Sequence, residues 1–437
     1  MGCATIIRYL YILLSYILSP FIFFRTLCQL YKKENYRHRF LERFGYINTI
    51  DIKKKSLWIH AVSLGEAITA VPLISALLKS YPQHTLIITT TTVTGSEQIR
   101  KNFGDQIYHV YCPYDFPGSA NRFLQRIHPQ LAIIMETELW PNILYYLYRQ
   151  NIPILLANAR LSKRSMHNYL RVRPITQKML SQITCVAAQS DIDGKRFLQL
   201  GLPNNRLFIA GNMKFDLQIS KYLIEKGKNL RKNWGLLHPT LIAASTHEGE
   251  EIIILKVFQE LRRQFQHAHL ILVPRHPNRF NKVAYLCKSI GFSVAKRSLH
   301  KMPSLKNDIL LGDVVGELRW LYAASDVAFI GGSLVPAGGH NLIEPAAMHL
   351  PIISGPNLQN FLLVSKLLKT AHALIIISDS TSLLKNVVQL FNNPKKRKQL
   401  GELAYQVSIT NKGALNRHLQ WIHKQITGNM YKQRKLI

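Results

Sequence analysis

Two acidic stretches sit directly behind apolar runs, and both are placed to do proton chemistry. Ser63-Leu64-Gly65-Glu66 follows LWIHAV. A strand, then Gly, then a helix start puts the Glu66 carboxylate at the mouth of a sheet, beside a helix N-terminus. Activating a sugar hydroxyl requires a base within hydrogen-bonding reach, which a carboxylate supplies. The plain alternative is a first-turn Glu that serves only the helix dipole. Glu136-Thr137-Glu138-Leu139-Trp140-Pro141 follows LAIIM. Alternate strand positions share a side, so Glu136 and Glu138 are expected on one face, with Pro141 in the first turn of the next helix. A salt-bridged pair at a strand end is the alternative there. Thr94-Gly95-Ser96 follows IITTTT, and Arg160 lies in NARLS after another apolar run. The first offers a helix N-terminus to an anion and the second a guanidinium to a phosphate or carboxylate; either would equally be an ordinary cap.

The second half of the chain repeats this placement with different residue types. Ser245-Thr246-His247-Glu248-Gly249-Glu250-Glu251 joins a strand to a helix, and its small residues let backbone N–H groups approach an anion. Pro274-Arg275-His276-Pro277 ends LILV with a fixed cation. Gly312-Asp313 and Gly316-Glu317-Leu318 flank another strand-to-helix joint, and Gly331-Gly332-Ser333 ends VAFI. Gly338-Gly339-His340-Asn341 leads into Leu342-Ile343-Glu344, where Glu344 is placed to accept from ribose hydroxyls. A Gly-Gly pair alone is usually just a turn; it is the recurrence at successive strand ends that points to a nucleotide-sugar site. There is no GxxxxGK[ST] and no GxGxxG behind a first strand, which disfavours P-loop, nicotinamide and flavin enzymes. His247, His276 and His340 occupy separate loops without ligand spacing, so no metal is expected.

The elements that must carry these residues are legible from hydrophobic patterning. SLWIHAVS, HTLIITTTT, QIYHVYCP, LAIIMETE, IPILLANA and ITCVAAQS read as buried strands, and NNRLFIAGNMKF as a last strand and crossover. A second series begins near Thr240: TLIAAST, HLILVPR, FSVAKRS, DILLGD, VAFIGG, PIISG and ALIIIS. Continuous apolar strands alternating with helices indicate parallel α/β sheets. Two such units are expected to face a cleft where ligands bind. With 437 residues and 47% hydrophobic content, the chain can bury two cores. Lys and Arg number 56 against 24 Asp and Glu, a net charge of +32, which favours a polyanionic partner. The basic residues are dispersed and no nucleic-acid module appears, so an acidic substrate or an anionic membrane surface is expected rather than nucleic acid. Five scattered cysteines, with no CxxC, argue against a disulfide framework or zinc site.

Residues 4–24 are almost continuously apolar, interrupted by Arg8 and Pro20. The length approaches a membrane span, and no small-x-small cleavage site follows. Arg25, Lys32, Lys33, Arg37, Arg39 and Arg43 crowd the C-terminal flank. The positive-inside rule then places the body of the protein in the cytoplasm, with these cations against anionic headgroups. Arg8 and Pro20 also allow an embedded helix that does not span.

The ordered set RHRFLERFG, SLGE, TTTVTGSE, ETELWPN, NARLS, GNMKFD, STHEGEE, VPRHPNRF, GDVVGEL and GGSLVPAGGHNLIEPAA resembles the 3-deoxy-D-manno-octulosonic acid (Kdo) transferase family over nearly the whole chain. The resemblance implies the GT-B architecture: two Rossmann-like domains facing a cleft, with an N-terminal membrane-anchor helix. The boundaries expected are an anchor at 1–30, an acceptor domain at 31–212, a CMP-Kdo-binding domain at 213–400 and a C-terminal helical segment at 401–437. It implies transfer from CMP-Kdo to the lipid A precursor (lipid IVA) with inversion, at the inner membrane, with the catalytic domains facing the cytoplasm and no cofactor. Carried over by motif, Glu66 is the general base and Glu138 a second catalytic carboxylate. Ser63, Gly65, Thr94, Glu136, Arg160 and Lys214 support the acceptor side. Ser245, Thr246, Glu248, Arg275, His276, Pro277, Gly316, Glu317, Gly332, Ser333, Asn341 and Glu344 form the CMP side. The chain departs from the family's more frequent SVGE by having Leu64, and has Pro336-Ala337 where the family often has Arg. Another GT-B lipid glycosyltransferase with a different nucleotide sugar is the nearest alternative; a basic nucleic-acid-binding protein is the alternative from another class.

Overall fold

The computed structural model describes residues 3–21, 24, 39–48, 55–217, 219–235, 238–299 and 303–434. The chain divides into two compact units, Met1–Asp216 with Lys412–Ile437, and Leu217–Asn411.

The first unit holds strands β1 (Ser56–His60), β2 (Thr85–Thr90), β3 (Tyr108–Tyr111), β4 (Pro129–Met135), β5 (Ile154–Ala159), β6 (Cys185–Ala188) and β7 (Leu207–Ile209). They form one sheet in the order β3-β2-β1-β4-β5-β6-β7, and every neighbouring pair is parallel. Helices α1 (Cys3–Ile17), α2 (Leu64–Ser80), α3 (Val93–Phe103), α4 (Pro117–Ile127) and α5 (Pro141–Arg149) precede or separate the first strands. Alternate residues of the strands feed two cores: Trp58, Ala132 and Ile134 enter one, and Leu57, Ile59 and Ile133 the other. A sheet covered on both faces has no polar face to expose, which explains why its strands read as unbroken apolar runs.

The second unit holds β8 (Thr240–Thr246), β9 (His269–Pro274), β10 (Val294–Lys296), β11 (Ile309–Leu311), β12 (Val327–Ile330), β13 (Ile352–Ser354) and β14 (Leu374–Ile376). Their order is β10-β11-β9-β8-β12-β13-β14, again with parallel pairs throughout. The helices used below are α6 (Glu250–Gln264), α7 (Leu318–Tyr322), α8 (Ile343–Ala347) and α9 (Pro394–Thr410). A last helix, α10 (Ala414–Arg434), returns to the first unit. There Ala414, Ile422 and Ile426 join the core beneath β1 and β4.

The sequence-based boundaries therefore shift. The span 401–437 is not one body: the end of α9 belongs to the second unit and α10 to the first. Apolar periodicity signals a helix but not which sheet it covers. The N-terminal membrane-anchor expectation is not shown by the described residues. Among the described residues no helix is long and apolar enough to cross a membrane, and α1 runs for only 15 residues. Of the flanking cations, Arg25, Lys32, Lys33 and Arg37 lie outside the described residues. Arg43 is buried, donating to the carbonyls of Cys112 at 3.2 Å and Thr91 at 2.5 Å. Arg39 pairs with Glu42 at 2.7 Å. These two cations hold the unit together rather than facing headgroups. Cys112, Cys185 and Cys287 are buried and free, small core residues as the scattered spacing suggests.

Candidate active site

In the first unit the chain reverses its direction of winding between β1 and β4, which are neighbours although two strands separate them in sequence. The loops leaving the carboxyl ends of such a pair diverge and leave a crevice, the usual ligand site of an open α/β sheet. Glu66 follows β1; Glu136 and Glu138 follow β4. The three acidic residues expected on the acceptor side thus fall at this switch point.

Ser63 caps α2, its Oγ accepting from the Glu66 amide at 3.4 Å. The Glu66 side chain turns back, Oε2 accepting from the Val62 amide at 2.5 Å and Oε1 from Ser63 Oγ at 3.4 Å. This is a capping-box arrangement extended by one residue. The first-turn role and the chemical role of Glu66 are therefore compatible, because capping fixes the carboxylate's direction. Gly65 leaves open space beside this turn, the nearest atom to a Cβ there being Ser63 Oγ at 3.8 Å. Gly95, in α3, has Ser63 within 3.4 Å of where a Cβ would stand, so the two helix starts pack closely.

Strand alternation does not place Glu136 and Glu138, since β4 ends at Met135 and Glu136 adopts φ 54°. A left-handed non-glycine residue costs energy that surrounding structure must hold. Here the Glu136 amide donates to the Ala157 carbonyl at 2.9 Å, and the Thr137 hydroxyl donates to the Arg160 carbonyl. The turn still brings both carboxylates within electrostatic range of Glu66. Burial, then the charges of Glu136 and Glu138, push Glu66 up to about 7. Burial and Glu136 push Glu138 up to about 7 as well, against the Trp140 indole N–H, which favours its ionised form. None of the three carboxylates has an ion pair among the described residues. In a protein of net charge +32, unpaired clustered acid is a costly arrangement, and such clusters mark functional sites.

The other residues expected around the acceptor are less tightly held. Thr94 is exposed in the first turn of α3, and the Arg160 side chain is exposed at the end of β5. Lys214 is half-buried in a short turn capped by Asn212. Asn158, one residue from the end of β5, is buried at φ 52°. Its Oδ1 accepts from the Met213 amide at 3.0 Å, and its own amide donates to His418 Nε2 at 2.9 Å, joining β5, the Lys214 turn and α10.

In the second unit the switch point lies between β8 and β12. Its organiser is Glu250, fully buried at the start of α6. Glu250 accepts backbone N–H bonds from His247 at 2.9 Å, Gly332 at 2.7 Å, and Ser333 and Leu334 at 3.0 Å each. Glu251 accepts from the Thr246 hydroxyl at 3.0 Å and from Arg279 at 2.6 and 3.1 Å. These two carboxylates bind the loops after β8, β9 and β12 into one rim. Neither was singled out as a site residue in the sequence. The available signal was two adjacent acids behind Gly249 in an acid-poor chain.

Ser245 holds φ 57° at the end of β8, and the Thr246 carbonyl accepts from the Arg275 amide at 3.0 Å. The side chains of Arg275, His276 and Pro277 are exposed on the rim. Gly332, at φ 66°, leaves room for a histidine pair: a Cβ would lie 2.9 Å from His340 Cδ2 and 3.3 Å from His247 Cδ2. His247 and His340 meet through their Nε2 atoms at 2.7 Å, with rings only 14° apart in plane. Burial, Arg275 and His247 push His340 down to about 4, and burial lowers His247. One Nε2 carries the proton and the other accepts it.

Further along the rim, Asn341 Oδ1 accepts from the Ile343 amide at 3.0 Å, and Glu344, in α8, pairs with Arg319 of α7 at 3.2 Å. Glu317 pairs with Lys226 at 3.3 Å and Arg297 at 2.8 Å, while a Cβ at Gly316, φ 94°, would meet nothing within 4 Å. Glu248 points outward to Lys282 from an exposed position; Glu250, two residues on, occupies the interior instead.

The family model of 3-deoxy-D-manno-octulosonic-acid transferase matches residues 38–217. A 3-deoxy-D-manno-octulosonic acid transferase of Haemophilus influenzae is 41% identical over 97% of this chain and 100% of its own length. One from Bordetella pertussis is 35% identical over 83% of this chain and 86% of its own. Among solved structures, a UDP-GlcNAc 2-epimerase from Neisseria meningitidis aligns with TM-score 0.58 over 85% of this chain and all of its own, at 14% identity. A glycosyltransferase from Rickettsia africae aligns with TM-score 0.56 over 86% of this chain and 99% of its own, at 16% identity. At those identities the structural likeness speaks for the fold.

Proposed function

The chain belongs to the 3-deoxy-D-manno-octulosonic acid (Kdo) transferase family of glycosyltransferases, and from that premise we propose that it transfers Kdo from CMP-Kdo to a hydroxyl of the lipid A precursor with inversion, Glu66 acting as base. The observation that carries this reading is the cluster of Glu66, Glu136 and Glu138 at the β1/β4 switch point, with Glu66 raised to about 7. A carboxylate near 7 is a far better proton acceptor than one at 4.5 and is still substantially ionised at neutral pH. The acceptor hydroxyl gives its proton to Glu66 while its oxygen attacks the anomeric carbon. The bond from that carbon to the CMP phosphate oxygen breaks, and its electron pair leaves on the phosphate.

The donor belongs on the rim of the second unit. Exposed Arg275, on the rim whose Gly332 and Ser333 amides Glu250 already holds, faces the developing phosphate charge, and no cofactor takes part. Gly316, Asn341 and Glu344 line the nucleoside side, Glu344 keeping one oxygen on Arg319 and offering the other to ribose. The H. influenzae and B. pertussis relatives carry the same transferase name, which supports Kdo as the sugar. The enzyme works at the cytoplasmic face of the inner membrane, where α1 lies on the bilayer rather than through it. Ile6, Leu10, Leu13, Leu14 and Ile17 present a continuous exposed apolar face for this.

The test is transfer to tetraacyl lipid A precursor, read by mass spectrometry, with wild type and Glu66→Ala side by side. Addition of Kdo by wild type, and none by a variant that still binds CMP, supports both donor and base. Addition of a different sugar, or undiminished transfer by Glu66→Ala, refutes them.

A further inference from the structure

A surface helix of a soluble unit buries its apolar residues and exposes its polar ones. Helix α1 departs from this: most of its large apolar residues are outside and polar ones are inside. Ile6, Tyr9, Leu10, Leu13, Leu14 and Ile17 are all about half exposed or more. Arg8, Tyr11 and Ser15 face inward beside Ile7 and Ile12. In a membrane-spanning reading Arg8 is a flaw; in this structure it is a contact. Its guanidinium lies 3.3 Å from the centre of the Tyr145 ring and donates to Asn142 Oδ1 at 3.2 and 3.3 Å. Tyr11 donates its hydroxyl to Asp115 Oδ2 at 3.0 Å.

Asp115 is where these contacts converge. Its Oδ2 accepts from the Asn142 amide at 3.0 Å and its Oδ1 from the Ile143 amide at 2.8 Å, while Asn142 Nδ2 returns a bond to the Asp115 carbonyl at 2.6 Å. Asp115 is thus the N-terminal cap of α5, supplied from a different loop; Trp140, at the cap position, provides no capping bond. Asn142 is four residues from Glu138. The carboxylate loop therefore hangs between a strained residue at its start, Glu136, and a cap at its end that α1 helps to hold.

We infer that α1 is a positioning element of the acceptor site: Arg8 and Tyr11 hold the Asp115–Asn142 knot and through it the Glu138 loop, while the outer face of α1 rests on a lipid surface, so that lipid seating and carboxylate placement are one equilibrium. This rests on the functional reading above for the role of Glu138. The occupant is a lipid surface because the outer face is apolar along its length and is followed in sequence by Arg25, Lys32, Lys33 and Arg37, the charge pattern of a helix on an anionic bilayer. Lipid covers the apolar side and thereby favours the docked helix, whose inner side completes the cap; binding that favours one conformation stabilises everything that conformation holds.

The experiment uses the full chain with phosphatidylethanolamine–phosphatidylglycerol vesicles and three readouts: co-sedimentation, amide hydrogen exchange at Asn142 and Ile143, and transfer kinetics. For wild type, vesicles should slow exchange at those two amides at least fivefold. Leu13→Glu/Leu14→Glu should neither sediment nor show the slowing. Arg8→Ala/Tyr11→Phe should still sediment, yet keep fast exchange on vesicles and lose about tenfold in kcat with donor KM unchanged. Arg8→Lys, which restores a cation, should recover part of the protection. The inference is overturned if wild type does not sediment, if vesicles leave its exchange unchanged, or if Arg8→Ala/Tyr11→Phe retains wild-type protection and kcat. Failure of the Kdo reading is separable, since wild type would then add no Kdo whatever the exchange pattern.

Discussion

Replacing Glu66 by Gln should stabilise the first unit at neutral pH while sharply reducing transfer. Glu66 ionises at 4.5 in an unfolded chain and at about 7 in the folded one. Ionising it in the fold therefore costs about 3 kcal/mol more than in the unfolded chain. Below pH 4.5 the carboxyl is protonated in both states and has no such cost. As pH rises from 4.5 to 7 the unfolded chain loses the proton first, so this contribution to stability drains away across that window and is fully lost above it. Gln cannot ionise, and its Oε1 can still accept from the Val62 amide as Glu66 does at 2.5 Å. The stability gap between Glu66→Gln and wild type should thus be smallest near pH 4 and widen by about 2–3 kcal/mol by pH 8. The assay is urea unfolding of the first unit's transition at half-unit pH steps. Transfer by the variant should fall by about 10²–10⁴-fold, the usual contribution of a general base. In wild type the rising limb of kcat/KM should have its midpoint near 7. A stability gap independent of pH, together with a limb near 4.5, would refute the claim that burial and neighbouring acids set this carboxyl.

Four expectations concern the second unit. Glu250→Ala removes a fully buried carboxylate that satisfies four backbone N–H groups; it should cost about 3–5 kcal/mol and abolish CMP binding, read by denaturation and calorimetry. Gly332→Ala forces a side chain into φ 66° beside His340 and should cost about 1–2 kcal/mol in stability, with weaker CMP binding as the functional readout. Arg275→Ala should raise the Kd for CMP about tenfold or more and flatten its dependence on salt, because an exposed cation acting on phosphate is screened. An anion over the rim raises His247 and His340 from their lowered values, so CMP should bind with proton uptake and more tightly at pH 5.5 than at pH 7.5; His340→Asn should diminish that difference.

The strands were legible because a sheet buried on both faces leaves a strong one-dimensional trace. LWIH, IITT and AIIM are apolar runs whose neighbours must be helices. The switch points were legible indirectly, since unusual residues gather where strands end. What could not be read was long-range pairing. Glu250 and Glu248 differ by two positions and have the same side chain, yet one is sealed among four amides and the other faces Lys282 in solvent. Only the return of β12 beside β8 decides between them. In the same way, α10 presents an ordinary basic helix in sequence, and its membership of the first unit comes from long-range contacts such as the core packing of Ala414, Ile422 and Ile426 and the Asn158–His418 bond across 260 residues.

Backbone strain links these observations to function. Among the non-glycine residues with left-handed backbones, Glu136, Asn158 and Ser245 each lie at or beside the carboxyl end of a strand flanking a candidate site. A strand that simply continued would send successive side chains to opposite faces of the sheet, where helices cover them. A left-handed residue breaks that alternation and turns the following side chains toward the edge. At β4 the turn delivers Glu138 beside Glu136 and Glu66 despite their mutual repulsion; at β8 it opens the loop whose amide Glu250 holds. Replacing Glu136 by Gly would relieve the backbone and remove one of the charges raising Glu66. The Glu136→Gly protein should consequently be more stable, while the pH midpoint of its transfer activity moves below 7 and its kcat falls. A midpoint unchanged from wild type would mean that Glu136 shapes the loop without tuning the base.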